Sequence, residues 1–244
     1  MSSPQSRENP MTALTALSGN YVIDNSHTEI GWTARHAMVT KVRGSFTDFE
    51  GTAATGANLE DAKINVVIQA SSIDTGNADR DGHLRSGDFF DVETYPTIRF
   101  TSTKVTAAGE GLDVEGNLTI KDVTREVSIP FEYDGVAVDP FGNERVGLSG
   151  SVQVNRKDFG LVWNAALETG GVLVSENVNL VFEVSAIKQA DEAAVEAEAV
   201  AEPVVEAQPV AETPAPARAA QPQTTAPATA QQGGFMGWLK RVFG

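Results

Sequence analysis

Between residues 21 and 188 apolar and polar side chains alternate along the chain, over and over. Ile30, Trp32, Ala34 and His36 alternate with Gly31, Thr33 and Arg35. The same period returns at Ile64, Val66 and Ile68, at Ile98 and Phe100, and at Leu118 and Ile120. It returns again at Val127, Ile129, Phe131 and Tyr133, at Leu148, Val152 and Val154, and at Val178, Leu180, Phe182 and Val184. A period of two places one set of side chains on each face of a pleated strand, so these runs predict antiparallel sheet, apolar within and polar without. Turn sequences separate the runs: Ala-Ala-Gly-Glu-Gly at 107–111, Asp-Pro-Phe-Gly-Asn at 139–143 and Thr-Gly-Gly at 169–171. Repeated strands without crossover helices imply a sandwich or a closed barrel, and closure removes the exposed edges. At about eight strands a barrel interior is either filled by side chains or holds one small ligand.

One stretch breaks the period, Asn77 to Asp91 (NADRDGHLRSGDFFD). Asn77 or Asp79 suits the N-cap of a short helix, with Leu84, Phe89 and Phe90 turned inward. Such a helix would lie over one barrel end as a plug or lid. Tyr95-Pro96 closes the excursion.

Composition changes after Lys188. Residues 189–232 are Ala, Glu, Pro and Gln-rich without an aromatic side chain, which predicts a disordered linker. The last residues, 233–244 (GGFMGWLKRVFG), place Phe235, Trp238, Leu239 and Val242 at i, i+3, i+4, i+7 beside Lys240 and Arg241. That is the pattern of a short amphipathic docking segment for a membrane surface or a protein groove, or a chance periodicity in a tail. The expected division is a flexible 1–19, a barrel at 20–188, the linker 189–232 and the amphipathic 233–244.

The charge narrows the function. With 33 acidic against 18 basic side chains, the formal net charge is -15, which disfavours nucleic acid as a partner. Cysteine is absent, so no disulfide framework, thiolate site or cysteine nucleophile is available. Residues 1–20 contain no continuous apolar run of seven, so a secretory leader is not expected; the expected location is cytoplasmic, peripheral at a membrane if the tail docks. The three histidines, His27, His36 and His83, lack the close spacing of a metal site, and no metal or other cofactor is expected. Asp24, Ser26 and His27 are neighbours, but a triad is made by geometry rather than adjacency. No phosphate-binding loop, dinucleotide fingerprint or nucleophile elbow occurs, and the scattered glycines are expected at turns. No catalytic residue is assigned, and the chain is not expected to be an enzyme.

Several longer matches go together: Tyr21-Val-Ile-Asp-Asn-Ser-His27, Val42-Arg-Gly-Ser-Phe-Thr-Asp-Phe-Glu-Gly51, Ser72-Ile-Asp-Thr75, and Arg80-Asp-Gly-His-Leu-Arg-Ser-Gly-Asp-Phe-Phe-Asp91. They continue with Tyr95-Pro-Thr-Ile-Arg-Phe-Thr-Ser102, Val114-Glu-Gly-Asn-Leu-Thr-Ile-Lys-Asp-Val-Thr124 and Asn155-Arg-Lys-Asp-Phe-Gly160. In these motifs the chain resembles the YceI-like family of lipid-binding, polyisoprenoid-binding barrels. The resemblance implies an all-β, extended lipocalin-like eight-stranded antiparallel barrel with one short helix. It also implies an elongated apolar cavity for a long isoprenoid or acyl chain, and a homodimer as one assembly. The C-terminal extension has no counterpart in it.

On that reading the inward positions become a candidate lining: Trp32, Ile68, Phe89, Phe90, Ile98, Phe100, Ile120, Ile129, Phe131, Val152, Val154 and Phe182, with His36 as a polar contact. Each is equally compatible with a dry core. Arg80 and Arg85 are candidates for an anionic head group, because a guanidinium fork suits pyrophosphate or carboxylate. The alternative for both is a network that pins the lid. The expected function is non-enzymatic binding, storage or transport of an isoprenoid or other amphiphile. The competing expectation is an interaction protein whose tail docks to a membrane or a partner.

Overall fold

A computed structural model describes Leu14 and residues 17–56, 58–168 and 170–190; the linker and the amphipathic tail fall outside these residues. Eleven strands run in one antiparallel sheet: β1 (Gly19–Ile23), β2 (Glu29–His36), β3 (Thr40–Phe46), β4 (Phe49–Thr55), β5 (Lys63–Gln69), β6 (Ile73–Asp74), β7 (Thr97–Ala108), β8 (Gly111–Ile120), β9 (Val123–Val138), β10 (Glu144–Asn155) and β11 (Val174–Lys188). The order β1-β4-β5-β7-β8-β9-β10-β11 closes on itself, because β11 also pairs with β1. Eight strands therefore form the ring. The long β11 does two jobs. Val174–Glu183 pairs with β2, and Ala186–Lys188 pairs with β1, so β2, β3 and the short β6 extend one side of the wall.

The period-two pattern fixes which face each residue takes. Directly opposed pairs share a face. Ile68 opposes Ile98, Phe100 opposes Leu118, Val114 opposes Ile129, and Leu112 opposes Phe131. The inner face continues through Val152 and Leu180, then Leu180 and Trp32. At the mouth of the β9–β10 hairpin the Asp139 carboxylate accepts the amides of Phe141 and Asn143, at 2.9 and 3.0 Å, which holds the turn anticipated at 139–143.

Glycine placement departs from expectation. Gly44, Gly51, Gly116 and Gly150 lie inside strands rather than at turns, each beneath a large side chain. A Cβ on Gly44 would meet the Trp32 ring at 2.6 Å, and one on Gly116 would meet Phe100 at 2.4 Å. Gly150 lies between Phe131 and Phe182 in register, and those rings meet over it with centroids 5.8 Å apart. The missing side chain is what lets bulky neighbours lie along the wall. A second departure is Lys121. The alternation of Leu118 and Ile120 with Thr119 predicts an outward strand position for it, but it occupies the tight β8–β9 turn with φ 57°.

The helix α1 (Ala78–Arg85) forms where the period breaks. Asn77 is its cap, its side chain accepting the Arg80 amide at 3.0 Å. Phe89 is buried, and Leu84 and Phe90 pack against the same core, as expected for a segment laid against the barrel. Two clusters of buried apolar side chains result. One joins Ile73, Phe89, Phe159, Ile98 and Ile68; the other joins Leu14, Val105, Leu112 and Val114. Phe100 touches both.

Candidate functional site

The inner wall is the first candidate, and its side chains divide into two groups. Ile68, Phe89, Ile98, Ile120 and Ile129 are buried to 9% exposure or less, as core residues are. Trp32, Phe90, Phe100, Phe131, Val152, Val154 and Phe182 remain partly accessible, although register turns the strand residues among them into a closed ring. His36, at the end of β2 opposite Thr40 and Val174, is also half-buried. Side chains packed to the density of an ordinary core would not keep such surface. The packed layers belong to the two clusters, and the accessible side chains border them.

Polar groups along this wall are few. The Trp32 indole nitrogen and one terminal nitrogen of Arg156, Nη2, are buried N–H donors without a hydrogen-bond partner. Arg156 opens the short 3-10 turn Arg156–Phe159 directly after β10, and it is only 6% exposed. Its Nε donates to the Ser175 carbonyl at 2.9 Å and its Nη1 to the Leu161 carbonyl, while the guanidinium lies over the Phe89 ring at 6.0 Å. Burial pushes its pKa down, and the Glu176 charge partly opposes this. Arg156 belongs to the Asn155–Gly160 motif, but nothing in the sequence marks its role, because its acceptors come from a distant strand and a loop.

Arg80 and Arg85, the head-group candidates, each bond to the chain around β6. Arg80 donates to the Thr75 hydroxyl and carbonyl, at 2.7 and 3.0 Å. Arg85 donates to the carbonyls of Ser71 and Ile73, both at 2.7 Å, tying α1 to β6 and the chain just before it. The buried Asp81 carboxylate accepts the amide and hydroxyl of Thr75. This is a network that pins the helix. His83 is buried and bonds Asp88 at 2.9 Å, its ring edge-on to Phe89 and Trp163. Burial, then the charge of Arg80, lowers the pKa of His36.

The Asp24, Ser26, His27 group is a surface cluster. Asp24 accepts the Ser26 amide at 3.0 Å and bonds His27 Nδ1 at 2.7 Å, yet its strongest partner is Arg145. That partner holds the Asp24 carboxyl down to about 2. Among the described residues no cluster of His, Asp or Glu is arranged to hold a metal. An open concavity of about 900 Å³ lies along β8–β11, bordered by Glu110, Asp113, Glu132, Asp134 and Glu183 and also by Leu112, Phe131 and Gly150. Five carboxylates make it a poor seat for a hydrocarbon chain. The proposed docking residues Phe235, Trp238, Leu239 and Val242 lie outside the described residues.

Comparison with known proteins agrees with this architecture. A UPF0312 protein of Pseudomonas aeruginosa is 38% identical over 181 residues, which cover 73% of this chain and 92% of the relative. One from Staphylococcus aureus is 37% identical over 169 residues, covering 68% and 95%. The YCEI protein of Campylobacter jejuni superposes with a TM-score of 0.55 at 30% identity, over 64% of this chain and 90% of that one. At 17% identity, a polyisoprenoid binding domain from Saccharophagus degradans shares the fold with a TM-score of 0.55, over 69% and 98%. The YceI-like domain matches residues 21–186, and the chain belongs to the YceI-like family.

Proposed function

We propose that the barrel is a non-enzymatic binding module that stores or carries a long-chain isoprenoid, or another amphiphilic lipid, along its inner wall. The observation that carries this reading is the set of apolar side chains, Trp32, Phe100, Phe131, Val152 and Phe182 among them, that face into a closed ring and still keep accessible surface. An apolar chain placed there leaves water. At roughly 25 cal/mol per Å², burying some 300 Å² of ligand supplies on the order of 7 kcal/mol before the costs of immobilisation. The family, and a fold shared with a protein described as polyisoprenoid-binding, support lipid binding in general. The two donors without acceptors, Trp32 Nε1 and Arg156 Nη2, favour a ligand whose polar end bears an oxygen acceptor.

Organic extraction of the purified full chain, followed by mass spectrometry, is the direct test. A co-purifying long-chain lipid is expected. Val152→Phe adds apolar bulk at an accessible inner position and is expected to reduce lipid content several-fold while the protein stays folded. Lipid-free protein that also takes up no labelled prenyl or acyl chain would overturn the reading.

A further inference from the structure

The turn between β2 and β3 combines strain, apolar exposure and positive charge. Ala37 and Met38 have φ of 47° and 60°, a left-handed conformation that residues with a Cβ adopt at a cost. The turn is held there by the Ala37 amide donating to the Leu173 carbonyl at 2.7 Å and the Val39 amide donating to the His36 carbonyl at 3.0 Å. Its side chains point at solvent: Met38 is 55% exposed and Val39 76%. Val162, on the loop that also carries Leu173, is 63% exposed.

Behind this tip stand three exposed cations, Arg35, Lys41 and Arg43. Arg35 is directly opposite Lys41 across the two strands, an arrangement that like charges disfavour. No acidic residue occurs between Glu29 and Asp48. Among the described residues none of the three cations forms an ion pair. In a chain of net charge -15 this hairpin is a basic island. The hairpin also abuts the helical segment. Gly44 of β3, opposite Trp32, lies so close to Thr75 that an added Cβ would meet Thr75 Cγ2 at 2.8 Å, and Thr75 is bonded to Asp81 of α1.

A second exposed apolar turn provides the contrast. Val136, Val138 and Phe141 project from the β9–β10 hairpin, but Asp134, Asp139 and Glu144 accompany them, and the nearby cations Arg145 and Lys188 are ion-paired to Asp139 and Glu144. That tip is repelled by an anionic surface; the β2–β3 tip is attracted to one.

We propose that the β2–β3 turn is a membrane-contacting tip: Met38 and Val39 enter the headgroup region of an anionic bilayer while Arg35, Lys41 and Arg43 face lipid phosphates. As the point where cargo enters or leaves, the tip rests on the carrier reading; as a membrane contact it does not. Each cation near such a surface contributes about a fivefold gain in partitioning, so removing two costs about 25-fold.

The test is co-sedimentation of the full chain with vesicles of phosphatidylcholine, with and without phosphatidylglycerol. Binding is expected to require phosphatidylglycerol and to weaken with salt. Lys41→Gln with Arg43→Gln is expected to lower it about 25-fold, and Met38→Ser with Val39→Ser to abolish it. Met38→Gly relieves the backbone strain while removing the apolar group, so it folds and is still expected to bind more weakly. Val138→Ser with Phe141→Ser is expected to bind as the parent does. Extracted lipid content of the hairpin variants is expected to stay unchanged, which separates this outcome from failure of the carrier reading. Absence of binding to either vesicle overturns the proposal. So does binding that survives the hairpin changes, including the case in which Trp238→Ala alone removes it.

Discussion

Arg145 and Arg156 stand at opposite ends of β10 and are held in opposite ways. Arg145 lies on the outer surface, its guanidinium shared between Asp24 at the end of β1 and Asp139 in the β9–β10 turn. Its partners titrate. Hydrogen bonds from Asn143 and Arg145 keep the Asp139 carboxyl well below the usual range, and Arg145 does the same for Asp24. Arg156 is buried and donates to two backbone carbonyls, which do not titrate. The half-buried, ion-paired cation therefore contributes in a way that depends on pH and salt. The buried one contributes through geometry, at the desolvation cost that lowers its own pKa.

The largest expected effect tests the buried member. Arg156→Leu leaves the Ser175 and Leu161 carbonyls without their donors, and loss of stability on the order of 3 kcal/mol is expected, equal at pH 5 and pH 8, by urea unfolding. A strongly pH-dependent loss would break the contrast. Arg145 gives the next effect. The folded pKa of Asp24, about 2, lies below its unfolded value near 4. Its stabilisation is thus present above pH ~4 and lost as pH falls toward 2. The parent's urea midpoint is expected to drop across that window, and Arg145→Gln to flatten the drop. An unchanged slope in the variant would mean that the pair contributes nothing. The smallest effect belongs to a cation with neither kind of partner. Lys121 lies 5.5 Å from the centre of the Tyr95 ring in a left-handed turn. Lys121→Gly trades a weak cation–π contact for relieved backbone, and thermal unfolding is expected to register less than about 0.5 kcal/mol.

Alternation between Ile and polar neighbours was enough to orient Ile68, Ile98, Phe100, Leu118 and Ile129, because a strand with one wet face has a single sensible parity. The break in period at Asn77–Asp91 was equally readable, since a cap and a short helix are local matters. The candidate lining was legible as a face but not as a division. Ile120 and Phe131 share the inner wall, yet one is buried and the other accessible, which depends on what lies across the barrel.

The amino-acid order by itself determined strand parity, the place of the short helix and the turn held by Asp139, all set by neighbours a few residues apart. Only the tertiary structure decided that β11 leaves β2 to close on β1, that Gly44, Gly116 and Gly150 lie beneath rings rather than in turns, and that Arg156 finds its acceptors at Ser175 and Leu161. Each of those outcomes joins groups distant in sequence. A period of two says which way a side chain points and nothing about what it will meet.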